Sequence, residues 1–462
     1  MRANKFYLWT VIFYVLLIYV FYPDFKLTVS SYPSDLYQYL TESFLSGKFH
    51  LNVQPKAELI NLPDPYDPIQ NLQFRLHDAS LFKGKYYLYF GPLPVIFFYL
   101  PFKLLTGFYP SDGFALFFFL SLTFLVSLFL LIKIKEKYFP SLAHWQTLLA
   151  GFLLGLGTGV VFLFSRQAVY EVAIASALCF MFFSFYFIYR IVNFECQTKD
   201  VFLFSLCLAL TVAGRPHFAL ICVFLLPAMF IYLLTKVSKN RRLILLVALL
   251  IPSFSVAFIL GGYNYLRFGS VFDFGHFWQL SCNDIRALHD ELLDWSKIPR
   301  NFLYSFYFYV LQPFSLSLKF PFLGLRLHHC RYFIDNDYFL EAVAGVLTTT
   351  PVILFILALP KMLTLYFKEK KDKKSLAWFV VFVSFVPTIS LLFLLTLPFA
   401  IQRYELDFLP YLVFLAIISF WMLTDYFFAS PRFNFVKIFF ISTALISILT
   451  GLCLGFAYWA FI

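Results

Sequence analysis

Residues 114–137, "FALFFFLSLTFLVSLFLLIKIKEK", decide what kind of protein this is. From Phe114 to Ile132 no side chain is charged, and a helix of that length covers the roughly 30 Å of a bilayer's hydrocarbon. The run then meets Lys133, Lys135 and Lys137, the basic side chains that mark a cytoplasmic helix end. Inside lipid only a helix or a closed barrel satisfies its own backbone, and a continuous apolar run is the helical case. Similar runs recur near 6–22, 147–164, 171–189, 201–214, 218–235, 243–262, 340–360, 376–399, 409–426 and 438–460. The expected fold class is therefore an all-α polytopic membrane protein of about eleven transmembrane helices, one integral membrane domain over residues 1–462. A composition of 61% hydrophobic and 13% charged residues excludes an ordinary soluble domain.

Charge sets the orientation. "KIKEK" (133–137), "KVSKNRR" (236–242) and "KEKKDKK" (368–374) alternate along the chain with acidic, proline-rich stretches. Placing the basic connectors inside puts the N-terminus in the cytoplasm and the C-terminus outside. The run "PLPVIFFYLPFKLLTG" (92–107) is then interfacial or re-entrant, because a full crossing there would turn every later basic loop outward. The net charge of +11 thus reports topology, and nucleic acid is not an expected partner. Residues 6–22 lack a small-residue cleavage pattern after them and read as a retained anchor.

Two large outer loops remain, at about 23–112 and 263–339, and they hold most of the chemistry-bearing residues. In the first, Leu36, Tyr37, Leu40 and Phe44 recur at helical spacing behind Ser34 or Asp35 as an N-cap, giving a helix along the membrane surface. Asp35 is either that cap or a carboxylate tuned for proton abstraction. Further on, Gly84 reads as a turn between strand-like pieces, with Asp78 and Lys85 as substrate contacts or as solvated charges. Three arginines stand at the outer ends of spans: Arg166 with Glu171 nearby, Arg215, and Arg403 in "IQRYELDFLP" (401–410) with Glu405 and Asp407 to orient it. A planar guanidinium suits phosphate oxygens. Arg267, among aromatic residues and glycines in "GGYNYLRFGSVFDFG" (261–275), is a further candidate, and the apolar, proline-broken "YVLQPFSLSLKFPFLGL" (309–325) fits a surface segment touching a lipid tail.

Most of the seven cysteines lie in or near apolar runs; Cys282 and Cys330 are both outside and their compartment permits a disulfide. No Walker loop, HExxH or GxGxxG stands in a usable context, and the adjacent histidines of "LHHC" (327–330) make a poor ligand set, so no cofactor and no metal ligands are expected.

Taken in order, "DLYQYLTESFLSGKFHL", "DPYDP", "HDASLFKGKYYLYFGPLPVIFFYLPFKLLTG", "RQAVYEVAIA", "GRPHF", "YNYLRFGSVFDFG" and "RYELDFLPYL" resemble bacterial multi-spanning membrane glycosyltransferases of the GT-C superclass. Their relatives include the dolichyl-phosphate-mannose:protein mannosyltransferases and the aminoarabinose transferases. The resemblance implies a GT-C-like fold in the bacterial cytoplasmic membrane, with interfacial helices in the outer loops. It also implies transfer of a sugar from a polyprenyl-phosphate-linked donor to a glycan, lipid or protein acceptor. Asp35 matches the family's acidic residue after the first span, which implies a general base. Arg403, with Arg215 or Arg267, would then meet the leaving phosphate. The sequence carries Asp-Leu where the mannosyltransferase subgroup pairs Asp-Glu, which leaves the acceptor class open. An envelope polysaccharide polymerase or ligase is the alternative, and a lipid-linked sugar transporter a more distant one.

Overall fold

A computed structural model describes residues 2–21, 27–286, 294–325, 338–427 and 433–457 of the chain. Among these residues nine helices are long and apolar enough to cross a membrane: Asp112–Tyr138, His144–Ser165, Val169–Asn193, Pro216–Lys236, Lys239–Phe268, Pro351–Lys368, Lys374–Thr396, Leu409–Phe427 and Phe433–Phe456. Among the described residues strands occur only as pairs of two or three residues each.

Two of the eleven expected crossings are not among these nine. Most of 6–22 falls on the Arg2–Val20 helix, 19 residues long, and residues 22–26 lie outside the described residues. Residues 201–214 lie in the Thr198–Gly214 helix, 17 residues long. Asp200 in its first turn accepts a 2.8 Å bond from Arg190 Nε, and the helix ends at the Gly214-Arg215-Pro216 sequence. It nevertheless packs along both Val169–Asn193 and Lys239–Phe268, held to the latter by the 2.7 Å Ser205–Ser253 hydroxyl contact. The expected crossing at 340–360 begins later, at Pro351, because Phe339–Leu340 pairs in parallel with Phe399–Ala400. The second loop also starts later than residue 263, since the Lys239–Phe268 helix continues to a left-handed Gly269.

Lipid tails are as apolar as leucine, so these helices cohere through close packing and not by exclusion of water. Rings supply much of it. Phe182 and Phe185 of one helix meet Tyr411 and Phe414 of another at 5.5–6.3 Å, and Phe420 stacks on Phe440 at 3.7 Å. Small residues supply the rest: Tyr19 reaches the Gly155 carbonyl at 2.8 Å beside the spot where Gly155 admits Val15.

The outer-type loops follow the sequence reading in part. Leu36–Leu45 is a helix with Asp35 at its N-cap position, yet the Asp35 side chain makes no cap bond. Ser80–Phe82 and Lys85–Tyr87 form a hairpin around Lys83 and Gly84, both at positive φ, as a two-residue primed turn requires. Val95–Thr106 is apolar but short, and roughly 18 Å of helix cannot cross the hydrocarbon. Just before it, Gly91 presses on the end of the Thr198–Gly214 helix so closely that an added Cβ would lie 1.8 Å from the Ala213 carbonyl oxygen.

Gly91→Ala is expected to destabilise the protein by about 1–3 kcal/mol through forced separation of loop and helix. Gly262→Ala, with open space around its Cβ, should be neutral or stabilising. Thermal unfolding in detergent measures both; equal melting temperatures for the two variants would contradict the packing described.

Candidate active site

A cavity of about 790 Å³ opens where one end of the helix bundle meets the loops. Its basic side chains arrive in the same way. Arg166 follows the 3₁₀ turn Val160–Ser165 and Arg215 follows the Thr198–Gly214 helix, both in extended backbone with φ near −135°. Arg403 lies in the 3₁₀ turn Gln402–Asp407, between two spans. All three line the cavity, with Asp78, Tyr170, His217, Gln279, Glu341 and Tyr404.

The 3₁₀ turn explains which side chains pair. At three residues per turn, positions i and i+3 share a face. Gln402 and Glu405 therefore align, and Gln402 Nε2 donates to Glu405 at 2.6 Å. Tyr404 and Asp407 align on another face, toward Arg215: the Arg215 guanidinium donates to Asp407 and lies 4.9 Å from the Tyr404 ring. Arg403 is left on a third face and takes a different partner, Glu341, with bonds of 2.8 and 3.4 Å. This corrects the expectation that Glu405 and Asp407 orient Arg403. Asp407 also stands 3.3 Å from His217 Nε2. Burial pushes the Asp407 carboxyl up, but the Arg215 guanidinium and the contact with His217 outweigh it and hold it below the usual range.

Arg166 differs from the other two. Its guanidinium lies 5.2 Å from the Tyr170 ring, and no carboxylate of the described residues is within ion-pair distance. Arg403 lies 4.6 Å from the same ring, so Tyr170 gathers two guanidinium groups. Glu171, one residue on, is buried within the field of Arg403 and Arg166, with Oε2 unpartnered.

Asp78 lines the same cavity as these cations. It is buried, at a positive φ of 64°. Its Oδ1 accepts from the Tyr170 hydroxyl at 2.5 Å and from Gln279 Nε2 at 2.8 Å. Oδ2 lies 3.6 Å from His77 Nε2 and accepts no hydrogen bond from the described residues. One carboxylate oxygen is thus fixed by two donors while the other remains available.

Asp35, Arg267 and Lys85 lie off the cavity wall. Asp35 is half-buried beside the Leu36–Leu45 helix and accepts from Gln38 Nε2 at 3.2 Å; burial raises its pKa, with Ser34 opposing. Arg267 is spent on structure, donating to the Leu88 carbonyl at 2.5 Å and Asn264 at 2.7 Å, with its guanidinium 3.8 Å from the Tyr263 ring. Lys85 is exposed on its strand. Cys282 is an exposed free thiol at the cavity, and Cys330 and the rest of "LHHC" lie outside the described residues. Among the described residues no group of three or more His, Cys, Asp or Glu could hold a metal ion.

No protein-family model matches the chain, and no curated protein does. Two solved structures are similar at low identity. The crystal structure of the Archaeoglobus fulgidus oligosaccharyltransferase in the apo form shares 12% identity at a TM-score of 0.46, over 96% of this chain and 56% of that one. The archaeal oligosaccharyltransferase AglB from Archaeoglobus fulgidus, in complex with an inhibitory peptide and a dolichol-phosphate, shares 13% at 0.44, over 99% and 56%. The chain spans little more than half the length of these neighbours.

Glu405 provides a test of the electrostatics. It is buried, Oε1 has no partner, and burial raises its pKa well above the usual range against the pull of Gln402. A raised folded pKa gives stability that is complete below the unfolded value of about 4.3 and is lost as pH climbs through the folded value. Glu405→Gln should therefore melt higher than the parent at pH 8, by about 1–3 kcal/mol in stability, and the gap should close toward pH 4. A gap independent of pH would refute the assignment.

Proposed function

We propose that this protein is a membrane glycosyltransferase that moves a sugar from a polyprenyl-phosphate donor to an acceptor hydroxyl at the outer face of the cytoplasmic membrane. The observation that carries the reading is the convergence of Arg166, Arg215, Arg403 and Asp78 on one cavity at the ends of the spans. Support also comes from the ordered motifs that resemble the GT-C enzymes.

The chemistry follows from the pairings. Arg403 and Arg215 are each neutralised at rest by Glu341 and Asp407, so they are fixed in place before substrate arrives. Arg166, without such a partner among the described residues, supplies the first contact for a donor phosphate. As the acceptor oxygen bonds to the anomeric carbon, the carbon–oxygen bond to the phosphate breaks. Charge accumulates on the departing phosphate beside the guanidinium groups. The acceptor proton passes to Asp78 Oδ2, the carboxylate oxygen left open by Tyr170 and Gln279. This assigns to Asp78 the role that the family resemblance gives Asp35.

Transfer assayed in detergent with a panel of polyprenyl-phosphate sugars separates the two carboxylates. Asp78→Asn should lower kcat by roughly 10²–10⁴-fold, whereas Asp35→Asn should keep most of it; the reverse result returns the base to Asp35. Arg166→Ala should raise the donor KM more than it lowers kcat. No transfer from any donor in the panel by the parent protein would oppose the reading itself.

The orientation proposed has the N-terminus in the cytoplasm, the C-terminus outside and eleven crossings, counting Arg2–Val20 and Thr198–Gly214. Single cysteines at Ile69 and Trp295 should react with an impermeant maleimide from outside intact cells, and cysteines at Lys239 and Lys368 only after lysis. Labelling of position 368 in intact cells would overturn it.

A further inference from the structure

Residues 315–324 carry a feature that the transfer chemistry does not use. Ser315–Leu316 pairs antiparallel with Leu323–Gly324, and the turn between them is closed by bonds from Ser317 N to Phe322 O and from Phe322 N to Lys319 O, both 2.8 Å. The hairpin is built as a hydrogen-bonded unit, yet it leaves four large apolar side chains exposed. Leu316, Leu318, Phe320 and Phe322 are 78%, 101%, 63% and 52% exposed. Four large apolar side chains on one short hairpin are a cost in water, and single scattered ones would need no explanation.

The location names the phase that covers them. The hairpin sits at the end of the Phe433–Phe456 span, where the Phe320 ring meets Phe456 edge-on at 5.0 Å. Behind it Leu325, Ala344 and Leu454 form a small core with Phe162 and Phe314. That same span leaves Leu445, Ile446 and Leu449 exposed, as a lipid-facing helix does, so an apolar surface runs along the helix onto the hairpin. Phe162 belongs to the turn that delivers Arg166, which places the hairpin at the cavity end of the bundle. Lys319 at the tip has no carboxylate partner among the described residues, and its long stem suits a cation that reaches for lipid phosphates.

We propose that this hairpin dips into the lipid leaflet on the cavity side, with Leu316, Leu318, Phe320 and Phe322 among the acyl chains near the headgroups and Lys319 at the phosphates. The partner is the bilayer surface itself. The proposal does not rest on the glycosyltransferase reading and holds for any reaction the cavity performs.

The test uses the full-length protein reconstituted in vesicles of phosphatidylethanolamine and phosphatidylglycerol, with Cys282 and Cys330 replaced by serine. A nitroxide label is placed at Leu318→Cys and, for reference, at Ile69→Cys, a residue 85% exposed on a loop of the first outer region. Collision with molecular oxygen, which concentrates in lipid, is compared with collision by a water-soluble nickel chelate. The expected result is an oxygen-to-nickel accessibility ratio several-fold higher at position 318 than at 69. Equal ratios place the hairpin in water and overturn the proposal. Low accessibility to both reagents at 318 overturns it as well, since the tip would then be covered by protein, either residues 326–337 or a second copy. A second label at Leu316→Cys guards against local disturbance by the first and should give the same ordering.

Discussion

Asp407 is the point on which the site depends. It is a buried carboxylate at the edge of a helical bundle, shared between Arg215 and His217, and it joins the end of one helix to the turn that leads into another. Neither charge is tolerable there alone, because an unpaired ion removed from water costs several kcal/mol. The pairing therefore fixes two chain segments that are 192 residues apart in sequence. Through Tyr404 and the three-residue repeat of the Gln402–Asp407 turn, it also fixes the direction in which Arg403 leaves that turn.

From that constraint a division of labour among the cations emerges. Two arginines are held by carboxylates and contribute geometry, while the third stands beside an aromatic ring and contributes charge. Tyr170 links them: its ring lies within reach of Arg166 and Arg403, and its hydroxyl donates to Asp78. A single side chain thus couples the guanidinium half of the cavity to the Asp78 carboxylate.

Much of the architecture was legible in hydropathy, because a span is a local property of about 20 residues and its basic end is written beside it. Arg166, Arg215 and Arg403 were legible for the same reason, as charges at the ends of apolar runs. The partners were not. Glu341 lies 62 residues before Arg403, in a segment that sequence alone assigns to a span, and only the parallel pairing of Phe339–Leu340 with Phe399–Ala400 brings the two together. Proximity in sequence misdirected the reading of Glu405 and Asp407, since a 3₁₀ turn sends residues two and four apart to different faces. Arg267 has the composition around it of a ligand contact, but its helix turns it onto the Leu88 carbonyl.

The shortness of the Thr198–Gly214 helix has a consequence for depth. Seventeen residues cover about 25 Å, less than the hydrocarbon thickness of about 30 Å. Such hydrophobic mismatch is relieved by thinning of the adjacent bilayer or by water reaching down to the helix end. Where water reaches down, Arg215 at that end would lie deeper than an arginine that closes a fully spanning helix. On the reading proposed above, the cavity it lines is then a well sunk below the headgroup plane, at the depth where a polar group carried on a lipid already resides.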